Sequence, residues 1–388
     1  MGGRLIFYDT SNYIDFPVGG QLTSVRNFLR FLKESFPEHC EDVLLIGVST
    51  DADKVGKCSV IPFEGTEYKF LAVTQATANL GAVKKSLRLE YMKGIWKYRR
   101  LIGLQKSDCN YIHTPEAFGA VRLIGPGATC YVFSHGTYRD MWQRVRFFQK
   151  MPLVRKAFQA FLMHVIRKST AVFVLDKETQ EDYLNYNKRV IHVGNSIVCH
   201  PYEEKKLHEE KVQFLYAGRL SKVKNVGPLI EAVKEYHRNC ELMILGDGEE
   251  REILKKLAGD SERICFAGAV SPQRVQEIMR TSDILVMNST FEGIPMIILE
   301  AISRGLPVIT TDVGGIKEVL SYGQDSEVTD GSIGQIRKAM DLICANYDKY
   351  AKNAYEKSLQ FDYRKVNGNI FDVLNESLHW ERSRHDSE

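Results

Sequence analysis

Short apolar runs recur along almost the whole chain, separated by segments with helical spacing. In the first half they cover residues 4–8, 42–48, 110–114, 128–134, 171–175 and 189–194; in the second, residues 212–218, 241–246, 264–269, 283–289 and 306–311. Their hydrophobicity is continuous rather than alternating, as strands covered on both faces require, so they predict parallel sheets flanked by helices. Most connectors are long enough for the crossover helices that parallel pairing needs. The rhythm breaks in the charged segment around residues 196–211.

A length of 388 residues fits two cores better than one. The expectation is therefore an α/β protein of two doubly wound, Rossmann-like parallel-sheet domains facing a central cleft. The first domain would cover residues 1–195, a linker 196–211 and the second domain 212–360; residues 361–388 would form a helix packing back on the first domain.

Charge sharpens the division. The net charge of +3 splits into 27 Lys and Arg against 18 Asp and Glu in residues 1–200, and 25 against 31 in residues 201–388. Two halves of opposite sign suggest different partners. No apolar run approaches the eighteen or so residues of a membrane-spanning helix. The amino terminus shows no apolar leader core, which argues for a cytoplasmic protein. The eight cysteines are scattered with no CxxC pair, a pattern of reduced buried thiols rather than a zinc or disulfide framework.

Two segments carry chemistry. In residues 216–225 (YAGRLSKVKN) a strand ends at Gly218, and Arg219 and Lys224 follow in one loop before a helix near Val226. Glycine permits close approach, and two fixed cations beside a helix start suit a diphosphate. A solvated basic turn has the same composition. In residues 289–309, Glu292 follows a strand, Pro295 suits the first helical position, and Glu300 sits among Ile297, Ile298, Leu299, Ala301 and Ile302. A carboxylate in such a run faces a cleft or incurs a burial cost. The one DxD, Asp51-Ala52-Asp53, has no supporting motif and reads as surface. Dinucleotide fingerprints fail: residues 125–130 and 246–251 lack the last glycine.

The paired glutamates, GRLSKVKN upstream of them, and residues 244–251, 266–270 and 305–320 resemble retaining GT-B glycosyltransferases of family 4, the group 1 transferases. The likeness is thinner in the first half, resting on Gly19-Gly20, SHG at 134–136 and GNSI at 194–197. It implies a hexosyltransferase-type enzyme that takes a nucleotide-diphosphate sugar as substrate, UDP- or GDP-linked, with no cofactor and no metal. The acceptor would be a glycan or a lipid-linked sugar in polysaccharide or glycoconjugate synthesis. Arg219 and Lys224 would hold the diphosphate, Glu300 the ribose and Glu292 the transferred sugar. Gly218, Val270 and the backbone of Gly293, Ile294, Pro295 and Met296 would line the donor. His135 would approach the donor sugar, and Gly19 and Gly20 would form a loop open to close approach. Pro295 stands where many relatives have glycine, which removes one amide and leaves the sugar open. His113 also ends a strand-like run; the glycine after His135 favours His135. A nucleotide-sugar epimerase on the same architecture, or a non-catalytic sugar-nucleotide-binding partner, are the competing functions.

Residues 84–106 hold eight cations against Glu90 alone, and residues 142–168 hold seven with no acid. Aromatic and leucine side chains are mixed among them, the composition of helices lying on an anionic membrane. That composition predicts peripheral contact with the inner membrane face. Apolar residues in the core beneath a solvated basic face form the other reading. No nucleic-acid module accompanies these stretches.

Overall fold

The computed structural model describes residues 3–13, 20–76, 86–136 and 152–381. The chain forms two compact units, residues 1–196 with 363–388, and residues 197–362.

In the first unit the strands are β1 (Leu5–Tyr8), β2 (Val43–Ser49), β3 (Cys58–Phe63), β4 (Thr66–Gln75), β5 (Cys109–Ile112), β6 (Thr129–Ser134), β7 (Ala171–Val174) and β8 (Val190–His192). Their order is β3-β4-β2-β1-β5-β6-β7-β8. β1, β2, β5, β6 and β7 are buried at nearly every position, which is why continuous apolar runs located them.

The hairpin β3–β4 lies outside the apolar runs, and β3 corrects the expectation of purely parallel pairing, since it runs antiparallel to β4. Only one side of β3 is paired, so Cys58, Ser59, Val60 and Pro62 are exposed and Pro62 is tolerated there; only Ile61 and Phe63 are buried. One face of the sheet is covered by the helices Leu87–Lys97, Pro115–Ile124 and Pro152–Lys168, through Tyr91, Ile95, Phe118, Val121 and Val165. On the other, Phe7, Tyr111, Phe133 and Phe173 form an aromatic ladder with centroid spacings of 5.0, 6.4 and 6.5 Å. The helix Gly20–Ser35 packs there through Phe28. The final helix, Tyr363–Leu378, joins it: Phe371 lies 4.1 Å from Phe36, Tyr363 donates to Glu34 at 2.5 Å, and the Tyr131 and Ser377 hydroxyls pair at 2.7 Å.

In the second unit the strands are β9 (Val212–Ala217), β10 (Cys240–Leu245), β11 (Ile264–Gly268), β12 (Ile284–Val286), β13 (Val308–Thr311) and β14 (Ser326–Thr329). Their order is β11-β10-β9-β12-β13-β14, all pairs parallel. The chain winds outward from β9 in one direction and then from β12 in the other. A crevice therefore opens at the carboxyl ends of β9 and β12, where the connections diverge. β14 was not anticipated; SEVT is short and polar, an edge-strand composition.

Candidate functional site

The loops leaving β9 and β12 carry the charged residues singled out in the second half. After β9, Gly218 is half-buried and Arg219 is exposed. The Tyr216 hydroxyl donates to the Arg219 carbonyl at 3.1 Å. A short 3-10 turn, Lys222–Lys224, follows, with Asn225 in the left-handed region at φ 47° before the helix Gly227–Lys234. This turn aims Lys224 at the neighbouring loop, where its ammonium donates to Glu292 Oε1. The same oxygen accepts from the Ser289 hydroxyl at 2.6 Å.

The two loops are joined by backbone as well. Thr290 N donates to the Val223 carbonyl at 2.8 Å, and Asn288 Nδ2 to the Asn225 carbonyl at 3.2 Å. From the β13 side the Thr311 hydroxyl donates to the Ser289 carbonyl at 2.5 Å, and Gly315 N to the Gly293 carbonyl at 3.1 Å. Gly314 has φ 60°, and a Cβ there would lie 2.0 Å from the Glu292 carbonyl oxygen. Only glycine lets these backbones approach. The roles of Ser289, Thr311 and Gly314 leave no mark in the sequence alone, because hydroxyls and glycines announce such roles only once their neighbours are known.

Pro295 corrects one expectation. It is the residue before the helix Met296–Ile302, with ψ at 120°, rather than its first helical residue. Its carbonyl accepts from Ile298 N at 3.1 Å, so it acts as a cap through its acceptor. Gly293 is exposed, and Ile294, Pro295 and Met296 are half-buried. Glu300, on the last part of that helix, is half-buried and accepts from Gln276 Nε2 at 2.9 Å; Arg304 Nε donates to Gln276 Oε1 at 3.3 Å. Burial holds the Glu300 carboxyl above its ordinary range, against the opposing pull of the Gln276 bond. Val270, after β11, is half-buried and packs against the core cluster that includes Leu245, Met279 and Met287.

His135 lies in the first unit, just beyond β6, where Ser134 donates to the Gly136 carbonyl at 3.0 Å. Its Nε2 meets His113 Nδ1 at 2.9 Å, so the two histidines weighed against each other are partners. Burial pushes His135 down to about 3, with Arg88 adding to the effect. Gly20 opens the helix Gly20–Ser35 instead of lying in a loop, and Gly19 lies outside the described residues.

Asp51 and Asp53 sit on a surface turn in which Asp51 accepts from Asp53 N at 2.9 Å. All eight cysteines are free, but Cys58 and Cys265 are exposed, contrary to the expectation of buried thiols; each lies on an edge strand. Of the basic stretches, residues 84–85 and 142–151 lie outside the described residues. In the first, Tyr91, Gly94, Ile95 and Ile102 are core, whereas Leu89, Trp96 and Leu101 are 51%, 46% and 49% exposed. No helix among the described residues is long and apolar enough to cross a membrane.

Residues 202–359, less than half of the chain, match the family described as glycosyl transferases group 1. The chain is 32% identical over 175 residues to the O-antigen biosynthesis glycosyltransferase WbnH of Escherichia coli, 45% of this chain and 49% of that protein. It thus spans about half the length of the curated relatives it matches. In three dimensions it resembles the sucrose-phosphate synthase of Thermosynechococcus elongatus, with TM-score 0.75, 14% identity, and coverage of 96% and 98% of the two chains. It also resembles Anabaena HepE, solved in complex with UDP-glucose, with TM-score 0.65, 16% identity, and coverage of 96% and 99%. The two parallel-sheet units are those of the GT-B fold.

Proposed function

We propose that this chain is a glycosyltransferase that moves a sugar from a nucleotide-diphosphate sugar to a glycan or lipid-linked acceptor, with retention and without a metal. The observation that carries this reading is the meeting of Lys224 and Glu292 at the crevice between β9 and β12, with Arg219 on the same loop. The group 1 match covers the same segment, and the fold is shared with a protein solved with UDP-glucose.

Cleaving the bond from the anomeric carbon to a diphosphate leaves positive charge on the sugar and negative charge on the leaving group. In this proposal Arg219 and Lys224 stabilise the departing diphosphate, the role a divalent cation would otherwise fill. Glu292, held by Lys224 and Ser289, meets the transferred sugar, and Glu300 accepts from the ribose hydroxyls. Val270 and the segment Gly293–Met296 line the donor. His135 contacts a substrate oxygen from the first unit.

The same reading includes peripheral attachment to an anionic inner membrane face. Leu89, Lys93, Trp96 and Arg100 are exposed at helical spacing along one stripe, with the Arg99 guanidinium 4.7 Å above the Trp96 ring.

The test is to incubate the protein with UDP-, GDP- and ADP-sugars and an acceptor extract and follow nucleoside diphosphate release. Release that is lost in Lys224→Ala and in Glu292→Ala is the expected result. Conversion of one sugar nucleotide into another without release would identify an epimerase and overturn the proposal.

A further inference from the structure

The aromatic ladder beneath the helix Gly20–Ser35 includes an imidazole. His113 is 3% exposed, stacked on Phe133 at 5.1 Å with rings 9° apart, and edged by Tyr111 at 4.5 Å. The other members, Phe7, Tyr111, Phe133 and Phe173, show that an aromatic ring without ring nitrogens packs here. Burying an imidazole costs more than burying phenyl, and the cost is offset only by a hydrogen bond. That bond goes to His135, 2.9 Å from His113 Nδ1 to His135 Nε2. Both rings are held below the ordinary histidine range by burial, so the pair is neutral and a single proton lies between the facing nitrogens.

Which ring supplies that proton follows from the far side of His113. Its Nε2 is buried and has no hydrogen-bond partner among the described residues. A proton on Nε2 would be an orphaned buried N–H, the rarer and costlier arrangement. The His113 proton therefore sits on Nδ1. His135 Nε2 must then accept, which leaves the His135 proton on Nδ1.

We propose that His113 is a positioning residue: by donating from Nδ1 to His135 Nε2 it locks His135 as a neutral Nδ1–H donor for a substrate oxygen. This rests on the reading of His135 as a substrate contact of a glycosyltransferase. His113 itself touches no substrate; it acts through the ring it holds. Its own ring is fixed on both sides by aromatic neighbours, so the orientation of His135 is fixed with it.

The test uses the full chain labelled with 15N-histidine, with the His135 signals assigned by their loss in His135→Asn. The expected wild-type spectrum has a protonated His135 Nδ1 and a bare Nε2. In His113→Phe, which keeps the stacking and removes the donor, the His135 proton should move to Nε2. His113→Asn places an amide N–H near the Nδ1 position and should restore the wild-type pattern. In nucleotide release, His113→Phe should lower kcat about tenfold or more with donor KM nearly unchanged, as misoriented catalytic groups do, and His113→Asn should recover most of it. A wild-type His135 protonated on Nε2, or a His135 spectrum unchanged in His113→Phe, overturns the proposal. If wild type turns over no sugar nucleotide, the proposed function falls, while the spectra still decide the histidine pair. Should His113→Phe fail to fold, the wild-type and His113→Asn spectra carry the decision.

Discussion

Lys224 and Glu292, far apart in the chain, form an ion pair that closes the crevice between β9 and β12, and their side chains are only 22% and 9% exposed. Under the proposed function, a diphosphate approaching Lys224 would compete with Glu292 for the same ammonium. The carboxylate retains its bond from Ser289 while that exchange happens. The pair thus keeps both half-buried charges satisfied.

Lys224→Met is therefore expected to act on binding and on stability together. Glu292 loses a charged partner but keeps Ser289, so the stability loss should fall near 1.5–3 kcal/mol, the usual worth of a hydrogen bond to a charged group. Nucleotide release should drop on the order of a hundredfold or more, as when a single stabilising donor is removed from an active site. Thermal unfolding and steady-state release measure the two effects separately.

Glu300 predicts a trade between stability and binding. Its folded pKa is raised by burial, so the folded protein binds the extra proton more readily than the unfolded chain. Stability is then greatest below the unfolded value and falls as pH rises through the window up to the folded value. Glu300→Gln should unfold at a higher temperature than wild type at pH 7, with the gap narrowing towards pH 4. The same variant should lose affinity for nucleoside diphosphates, as titration calorimetry would show.

Asp9, wholly buried after β1, is raised by burial to about 7. With the folded value above the unfolded one, its contribution is present below about pH 4 and is lost progressively as pH rises through about 7, by about 1.4 kcal/mol per unit of separation. Asp9→Asn should flatten the stability profile between pH 4 and 7. Equilibrium denaturant titrations at several pH values check it, and an unchanged slope would contradict it.

Gly314→Ala should damage the crevice without dismantling the second sheet. The added methyl would lie 2.0 Å from the Glu292 carbonyl oxygen at a φ of 60°, forcing the two loops apart. Strain of about 1–3 kcal/mol is expected. Circular dichroism should remain that of wild type while UDP no longer shifts the melting temperature.

Trp96→Ser with Leu101→Ser should reduce co-sedimentation with vesicles containing phosphatidylglycerol, leaving nucleotide release from the donor in the presence of a soluble acceptor intact. Equal sedimentation of variant and wild type would remove the membrane from the proposal.

Much of this protein was legible in its sequence because parallel strands buried on both faces leave continuous apolar runs. The strands β1, β2 and β5–β13 all lie in or beside such runs, and the charged residues that follow β9 and β12 stand out against them. The edge strands β3, broken by Pro62, and β14, short and polar, leave a weaker trace and emerged only with their partners. Arg219, Lys224, Glu292 and Glu300 could be named from residue type and spacing. That Lys224 reaches Glu292, that Ser289 and Thr311 brace the loop, and that Gly314 is demanded by the Glu292 carbonyl were decided by tertiary structure. The same holds for His113 and His135, two rival candidates in the chain that share one proton in the fold. Local sequence encodes which face a residue buries; it does not encode which loops a sheet brings side by side, because that depends on strand order.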